Sequence, residues 1–377
     1  MEKIVKAVCM EKKRKFPAVR FAVGGGTLLL GAAGWLAARY ADGFADFYGF
    51  SVYPAVVNVF ARISGLFPFS LAELMIVCGV LLALFAVGYF IVNMVRRRGG
   101  RLRLLVSSAA SVVFVGGILL FCFVYGMGIN YSRRPFSEIA GLTTGRYSKE
   151  QVLDTLRYAI DNLTAAGEKV TLDADGHVTV PGDLSDRAGA AMRRLGERYD
   201  SLNSFYPRVK PVLMSELMCH AHITGIFTFY SMEANYNTMD VPEELGHTVC
   251  HELSHMTGFM REDEANFVSY LACRGSGDDY LTYSGWYDIT VYLLNAYYPE
   301  ATAQEYSEVY MTIPEYARKQ LSMQNEFWDK YRHDFGKAAE AMNDVYLKIN
   351  DQQEGTKSYG RVVDLVIADH LSENGGK

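Results

Sequence analysis

The chain has 377 residues, enough for about two domains. Half of them are hydrophobic and the formal net charge is −5 at pH 7, which argues against a basic nucleic-acid-binding protein. The charge is unevenly divided: residues 1–130 hold 14 Lys and Arg against 5 Asp and Glu, leaving 23 and 37 for the remainder, so a basic apolar membrane anchor followed by an acidic globular domain is predicted.

In chain order, residues 1–20 are basic, with Lys3, Lys6, Lys12, Lys13, Arg14, Lys15 and Arg20. Three uncharged apolar runs follow, at about 21–38, 74–95 and 104–125, each close to the length that crosses a bilayer. Arg96, Arg97, Arg98, Arg101 and Arg103 lie between the second and third runs, whereas the connection after the first holds only Arg39 and Arg62 as basic residues. The positive-inside rule then makes the N-terminus and the 96–103 loop cytoplasmic, and places everything after residue 130 outside the cytoplasm. Residues 44–70 are apolar and aromatic but carry Arg62, and are expected to form an interfacial segment on the outer surface.

The expected organisation is therefore a three-span anchor over 1–130 and a globular domain over 131–377. Ser148 followed by Gln151 predicts a capping box at the start of a helix over 148–166. Residues 172–178 read as a turn between short strands, 184–202 as a helix and 223–230 as a strand. Glu233 and Asn235 would close that strand and line a cleft. The rest is expected to be helical, over about 286–298, 303–311, 314–330, 335–349 and 359–370. Cys219, Cys250 and Cys273 show no paired spacing and are expected to be buried thiols.

The chemistry is concentrated in His251-Glu252-Leu253-Ser254-His255. Residues four apart share a helix face, so two imidazoles can point at one metal ion, with Zn2+ the expected cofactor. Glu252 is the expected general base, taking a proton from metal-activated water. Pro242, Glu243 and Glu244 suit the first turn of this helix, and Gly258 suits its end. A second helix would open on Arg261-Glu262-Asp263-Glu264-Ala265-Asn266 and return an acid to the histidines as third ligand. Asn266 is placed to orient a histidine ring. His247, one turn before His251 on the same face, could support the site or face substrate, but a solvated histidine is the expectation. His220 and His222 would share one face of a strand.

Glu262-x-x-Ala265-Asn266 after His-Glu-x-x-His resembles the second helix of gluzincin metallopeptidases, among them the CAAX prenyl endopeptidases. That resemblance implies Glu262 as third zinc ligand. The six residues between His255 and Glu262 are fewer than is usual there, so Glu264 stays as second choice. Arg261 stands where metzincins carry their third His.

Over nearly its whole length the chain resembles a bacterial family of uncharacterised three-span membrane proteins with an extracytoplasmic His-Glu-x-x-His domain. The stretches that carry this are 130–133, 227–235, 251–272, 283–285 and 358–365. The resemblance implies a mainly α (α+β) fold: three transmembrane helices, then a mostly helical zincin-like domain with a small β-sheet. It implies no substrate. Tyr283, Tyr359, Arg361 and His370 are candidates by residue type for stabilising a developing oxyanion. Tyr359 and Arg361 rank first because 358–365 matches the family.

The expected function is a membrane-anchored zinc metallopeptidase in the bacterial inner membrane, with the bilayer and a peptide or protein substrate as partners. The alternatives are a catalytically silent zinc-stabilised domain that binds an envelope partner, and a zinc hydrolase of a non-peptide amide such as a cell-wall component.

Overall fold

The computed structural model describes residues 16–96, 99–332, 336, 337, 341, 344, 345, 348, 361–373 and 375. Among the described residues, three helices are long and apolar enough to cross a membrane: α1 (Ala18–Tyr40), α4 (Leu71–Arg96) and α5 (Arg101–Gly126). Between α1 and α4 lie a short α2 (Phe44–Phe47), a π-helical turn (Tyr48–Val52) and α3 (Tyr53–Ser64). Helices α1 and α5 pack closely, because Gly24 and Gly117 remove the side chains that would separate them.

A 3₁₀ turn (Gly128–Ser132) leads from α5 into the globular part. Short α6 (Phe136–Ile139) precedes α7 (Lys149–Gly167), whose Ser148–Gln151 capping box forms as expected. The isolated bridge Leu172↔Val178 closes the expected turn, with Asp173 Oδ1 accepting from three backbone N–H groups. Helix α8 (Leu184–Arg198) follows, then β1 (Lys210–Val212), α9 (Ser215–His220), β2 (Gly225–Thr228) and β3 (Glu233–Asn237). Then come α10 (Leu245–His255), α11 (Glu262–Gly275), α12 (Asp279–Tyr297), α13 (Ala303–Tyr310), α14 (Glu315–Asp329) and α15 (Arg361–Glu373). The fold is mainly α, with one small sheet and three N-terminal apolar helices. The sheet order is β1-β3-β2, parallel between β1 and β3 and antiparallel between β2 and β3, so β2 lies at an edge.

Several expectations are corrected. Helix α10 starts at Leu245, because Pro242–Glu244 form a turn in which the buried Glu243 carboxylate accepts from the Val178 N–H. Strand β2 is half the expected length: Phe229 leaves the sheet to pack its ring on Phe123 of α5, 5.5 Å away, and Met232 turns back with φ +50°. Helix α12 opens at Asp279, because Asp278 caps it through the Leu281 N–H. His220 ends a helix and His222 takes φ +55°, so they share no strand face.

Glu233 does not line a cleft. It is buried, paired with buried Lys210, and accepts from the N–H groups of Leu71 and Ala72 at the start of α4. In return Glu73 of α4 accepts from Leu213 and Met214 N–H. The sheet is thus bolted to the end of an apolar helix by charged hydrogen bonds that the buried backbone requires. Asn235 is likewise buried in β3, donating to the Ile226 carbonyl. Removing one partner of a buried ion pair strands the other charge, so Glu233→Ala is expected to cost roughly 3–5 kcal/mol of unfolding free energy. Replacing both, as Lys210→Met with Glu233→Met, is expected to cost less, which unfolding in detergent micelles measures directly.

Candidate metal centre

Helix α10 presents His251 and His255 on one face, with ring centroids 4.8 Å apart and planes at 90°. After His255 the chain turns at Gly258, whose φ is +86°. A Cβ there would also lie 2.5 Å from Arg133 Nη1, so glycine is needed for both conformation and space. The short connection to α11 is pinned by Arg261, which donates to the carbonyls of Tyr131 and Arg133. This brings Glu262, the first residue of α11, back over the imidazoles.

His251 Nε2 lies 3.1 Å from Glu262 Oε2 and 3.1 Å from His255 Nε2, and His255 Nε2 lies 3.9 Å from Glu262 Oε1. Bonds of about 2.0 Å to a tetrahedral ion place its ligand atoms about 3.3 Å apart, and the three separations bracket that value. The other ring nitrogens are committed: His255 Nδ1 faces the Phe259 carbonyl at 2.8 Å, and His251 Nδ1 faces Asn266 Oδ1 at 2.7 Å. A carbonyl oxygen accepts and does not donate, so the protons sit on Nδ1 and both Nε2 lone pairs converge. The donor set thus fits a divalent ion.

The electrostatics of the metal-free protein follow from that crowding. Burial opposes a proton on His251, but the Glu262 carboxylate outweighs it and raises the imidazole to about 9. Burial lowers His255 to about 4. Burial would raise Glu262, yet its hydrogen bond to His251 holds it below its ordinary range. Glu252 is 4% exposed, and burial pushes it up to about 8 against a smaller downward pull from His251. Its Oε2 has no hydrogen-bond partner among the described residues. The Phe227 backbone of β2 hydrogen-bonds the ionised form. Gly225 lies directly over it, where an added Cβ would come within 2.5 Å of Glu252 Oε1.

Glu262 is the acid that meets the histidines. Glu264 is turned the other way: its Oε1 accepts from Phe136 N–H at 2.9 Å and Arg261 Nη1 at 3.1 Å. Tyr359 lies outside the described residues. Arg361, exposed at the start of α15, acts on Asp263, next to Glu262. Tyr283 is buried in the core and donates to Gln320 Oε1, so it does not reach the cluster. His370 is also buried, its ring on Tyr158 and its Nε2 3.1 Å from Asp154 Oδ2.

His247 is not solvated. It is buried, with Nδ1 3.1 Å from Asp288 Oδ2 and Nε2 3.1 Å from the Asn266 carbonyl. It therefore props the residue that orients His251. Residues 130–133, singled out only by resemblance, hold the turn after α10: Arg133 Nη1 donates to the Thr257 carbonyl, and its guanidinium lies over the rings of Phe50 and Phe259. Gly225 carried no signal in the sequence beyond lying in a strand.

A family model described as "Protein of unknown function (DUF3810)" matches residues 48–367, and the chain belongs to that family. No curated protein and no solved structure matches the chain.

Outer-shell partners of metal-binding histidines are each worth about 10–100-fold in metal affinity. Asn266→Ala is accordingly expected to weaken zinc binding by about that factor, read by competition with a chromophoric chelator. Unchanged affinity would show that Asn266 does not orient His251.

Proposed function

We propose that this member of the DUF3810 family is a membrane-anchored zinc hydrolase of peptide bonds. The observation that carries the reading is the convergence of His251 Nε2, His255 Nε2 and the Glu262 carboxylate beside the buried acid Glu252. Bound zinc supplies a Lewis acid that polarises water and a substrate carbonyl.

The chain's own residues supply the rest. Asn266 and the Phe259 carbonyl hold the two imidazoles in the tautomer that keeps both Nε2 lone pairs on the shared point. Glu252 is the proton carrier. Its burial beside the histidines, with an Oε2 that has no hydrogen-bond partner among the described residues, suits a group that takes a proton from the attacking water and passes it to the leaving amine.

Strand β2 favours a peptide over other amides. Among the described residues it pairs with β3 on one side only, and an extended peptide can add to its other side. Tyr359 and Arg361 remain the proposed donors to the developing oxyanion. The positive-inside rule supports an anchor over 1–130 with a cytoplasmic N-terminus, and an extracytoplasmic catalytic domain over 131–377 in the bacterial inner membrane.

Loss of a general base costs about 10²–10⁴-fold in rate. Glu252→Gln is expected to keep its zinc and to lose peptide cleavage by that factor, followed by mass spectrometry of a peptide mixture. Cleavage at the wild-type rate in Glu252→Gln, or none by the zinc-loaded wild type, would contradict the proposal.

A further inference from the structure

Helix α3 is apolar on both faces. Tyr53, Val57 and Ala61 are buried, Tyr53 with its hydroxyl 3.5 Å from the His255 carbonyl, while Val59, Phe60 and Ile63 on the outer face are about half exposed. Its polar outer residues Asn58 and Arg62 bond to each other, and Arg62 also covers the Phe205 ring. Exposed apolar side chains grouped in this way mark a surface that another apolar phase covers. The chain then runs through Leu66, 81% exposed, and Phe67 into the start of α4.

A second apolar segment, about 150 residues later, arrives at the same place. Leu213 is 88% exposed, with Met214 and Leu217 beside it. Their position is fixed: Glu73, in the first turn of α4, accepts the N–H groups of Leu213 and Met214, and Lys210 Nζ donates to the carbonyl of Ser64, the last residue of α3. The two segments therefore flank the start of α4. From Leu74 onward that helix shows apolar side chains outward along its length, a surface that only hydrocarbon covers without cost.

We propose that Leu213, Met214 and Leu217, with the outer face of α3 and Leu66, are immersed in the interfacial layer of the bilayer leaflet on the globular side. The occupant is lipid because the patch is continuous with the lipid-facing surface of α4; a protein partner seated there would also have to displace lipid from that helix. Clustered apolar side chains beside a spanning helix, in two segments tied to its first turn, form a second seat on the membrane independent of the spans.

The seat fixes where the candidate site works. Phe227, whose ring is 6.1 Å from that of His255, is two residues from Phe229, which packs on Phe123 of α5. The edge strand thus passes the metal cluster, and the turn that follows it packs on a membrane-length helix, so a polypeptide laid along β2 is held close to the bilayer surface.

The test uses the full chain reconstituted in phosphatidylcholine vesicles whose acyl chains are brominated at shallow carbons. Leu213→Trp and, separately, Leu217→Trp are compared with the wild type, which carries Trp35, Trp286 and Trp328; the emission lost in Trp35→Phe is that of Trp35, which lies within α1 and reports that the quencher is effective. Both positions are exposed, so the new indoles need no repacking. The emission each adds is expected to be blue-shifted and largely lost in brominated lipid. The emission added by Met311→Trp, an exposed position after α13, is expected to be unaffected. Added emission from Leu213→Trp and Leu217→Trp that stays water-like and unquenched while Trp35 is quenched would overturn the proposal, as would equal quenching of Met311→Trp.

Discussion

Two imidazole lone pairs face each other across 3.1 Å, with a carboxylate closing the third side. Each imidazole is committed through its other nitrogen, so neither ring can turn to relieve the contact without breaking a buried hydrogen bond. In the metal-free chain the conflict is met by a proton: His251 is raised to about 9 while His255, a turn away on the same helix, falls to about 4. A divalent ion would satisfy all three donors at once. This is the constraint around which the neighbouring structure is arranged. Gly258 makes the reversal tight enough, Arg261 holds the connection down, and the first residue of α11 supplies the acid.

The same reversal ties the cluster to the membrane-length helices. The residues that hold it, Asn130 to Arg133, emerge from the end of α5. At the start of α4, Glu233 accepts from the Ala72 N–H and Glu73 from the Met214 N–H. The sheet and the histidine helix are thus attached to the apolar helices at separate points. The cluster therefore has a fixed position relative to the membrane-length helices, and the turn that follows β2 packs on one of them through Phe229.

Much of this was legible in the sequence. The three apolar helices need only length and lack of charge, which composition reports directly. The histidine pair needs only the four-residue helical spacing, and the capping box at Ser148 is local. Glu262 over Glu264 was harder. Both open the same helix, and the choice depends on Arg261 and Phe136, which draw Glu264 away. What failed was long-range. Glu233 reads as a strand-end acid, and nothing nearby in sequence announces that it caps a helix more than 160 residues earlier. His247 reads as a surface residue because its partner Asp288 lies on a different helix. Tyr283 has the chemistry of a transition-state donor, but Gln320 on α14 claims its hydroxyl. Residue type and spacing fix which groups are available; packing decides which of them meet.

The most direct measurement is the zinc content of the purified full chain, taken by mass spectrometry of the metal for the wild type, His251→Ala, Glu262→Ala and Glu264→Gln. About one zinc per chain is expected in the wild type and in Glu264→Gln, with loss from the other two. A folded wild type that takes up no zinc, or a Glu262→Ala chain that keeps it while Glu264→Gln loses it, would contradict the centre described above.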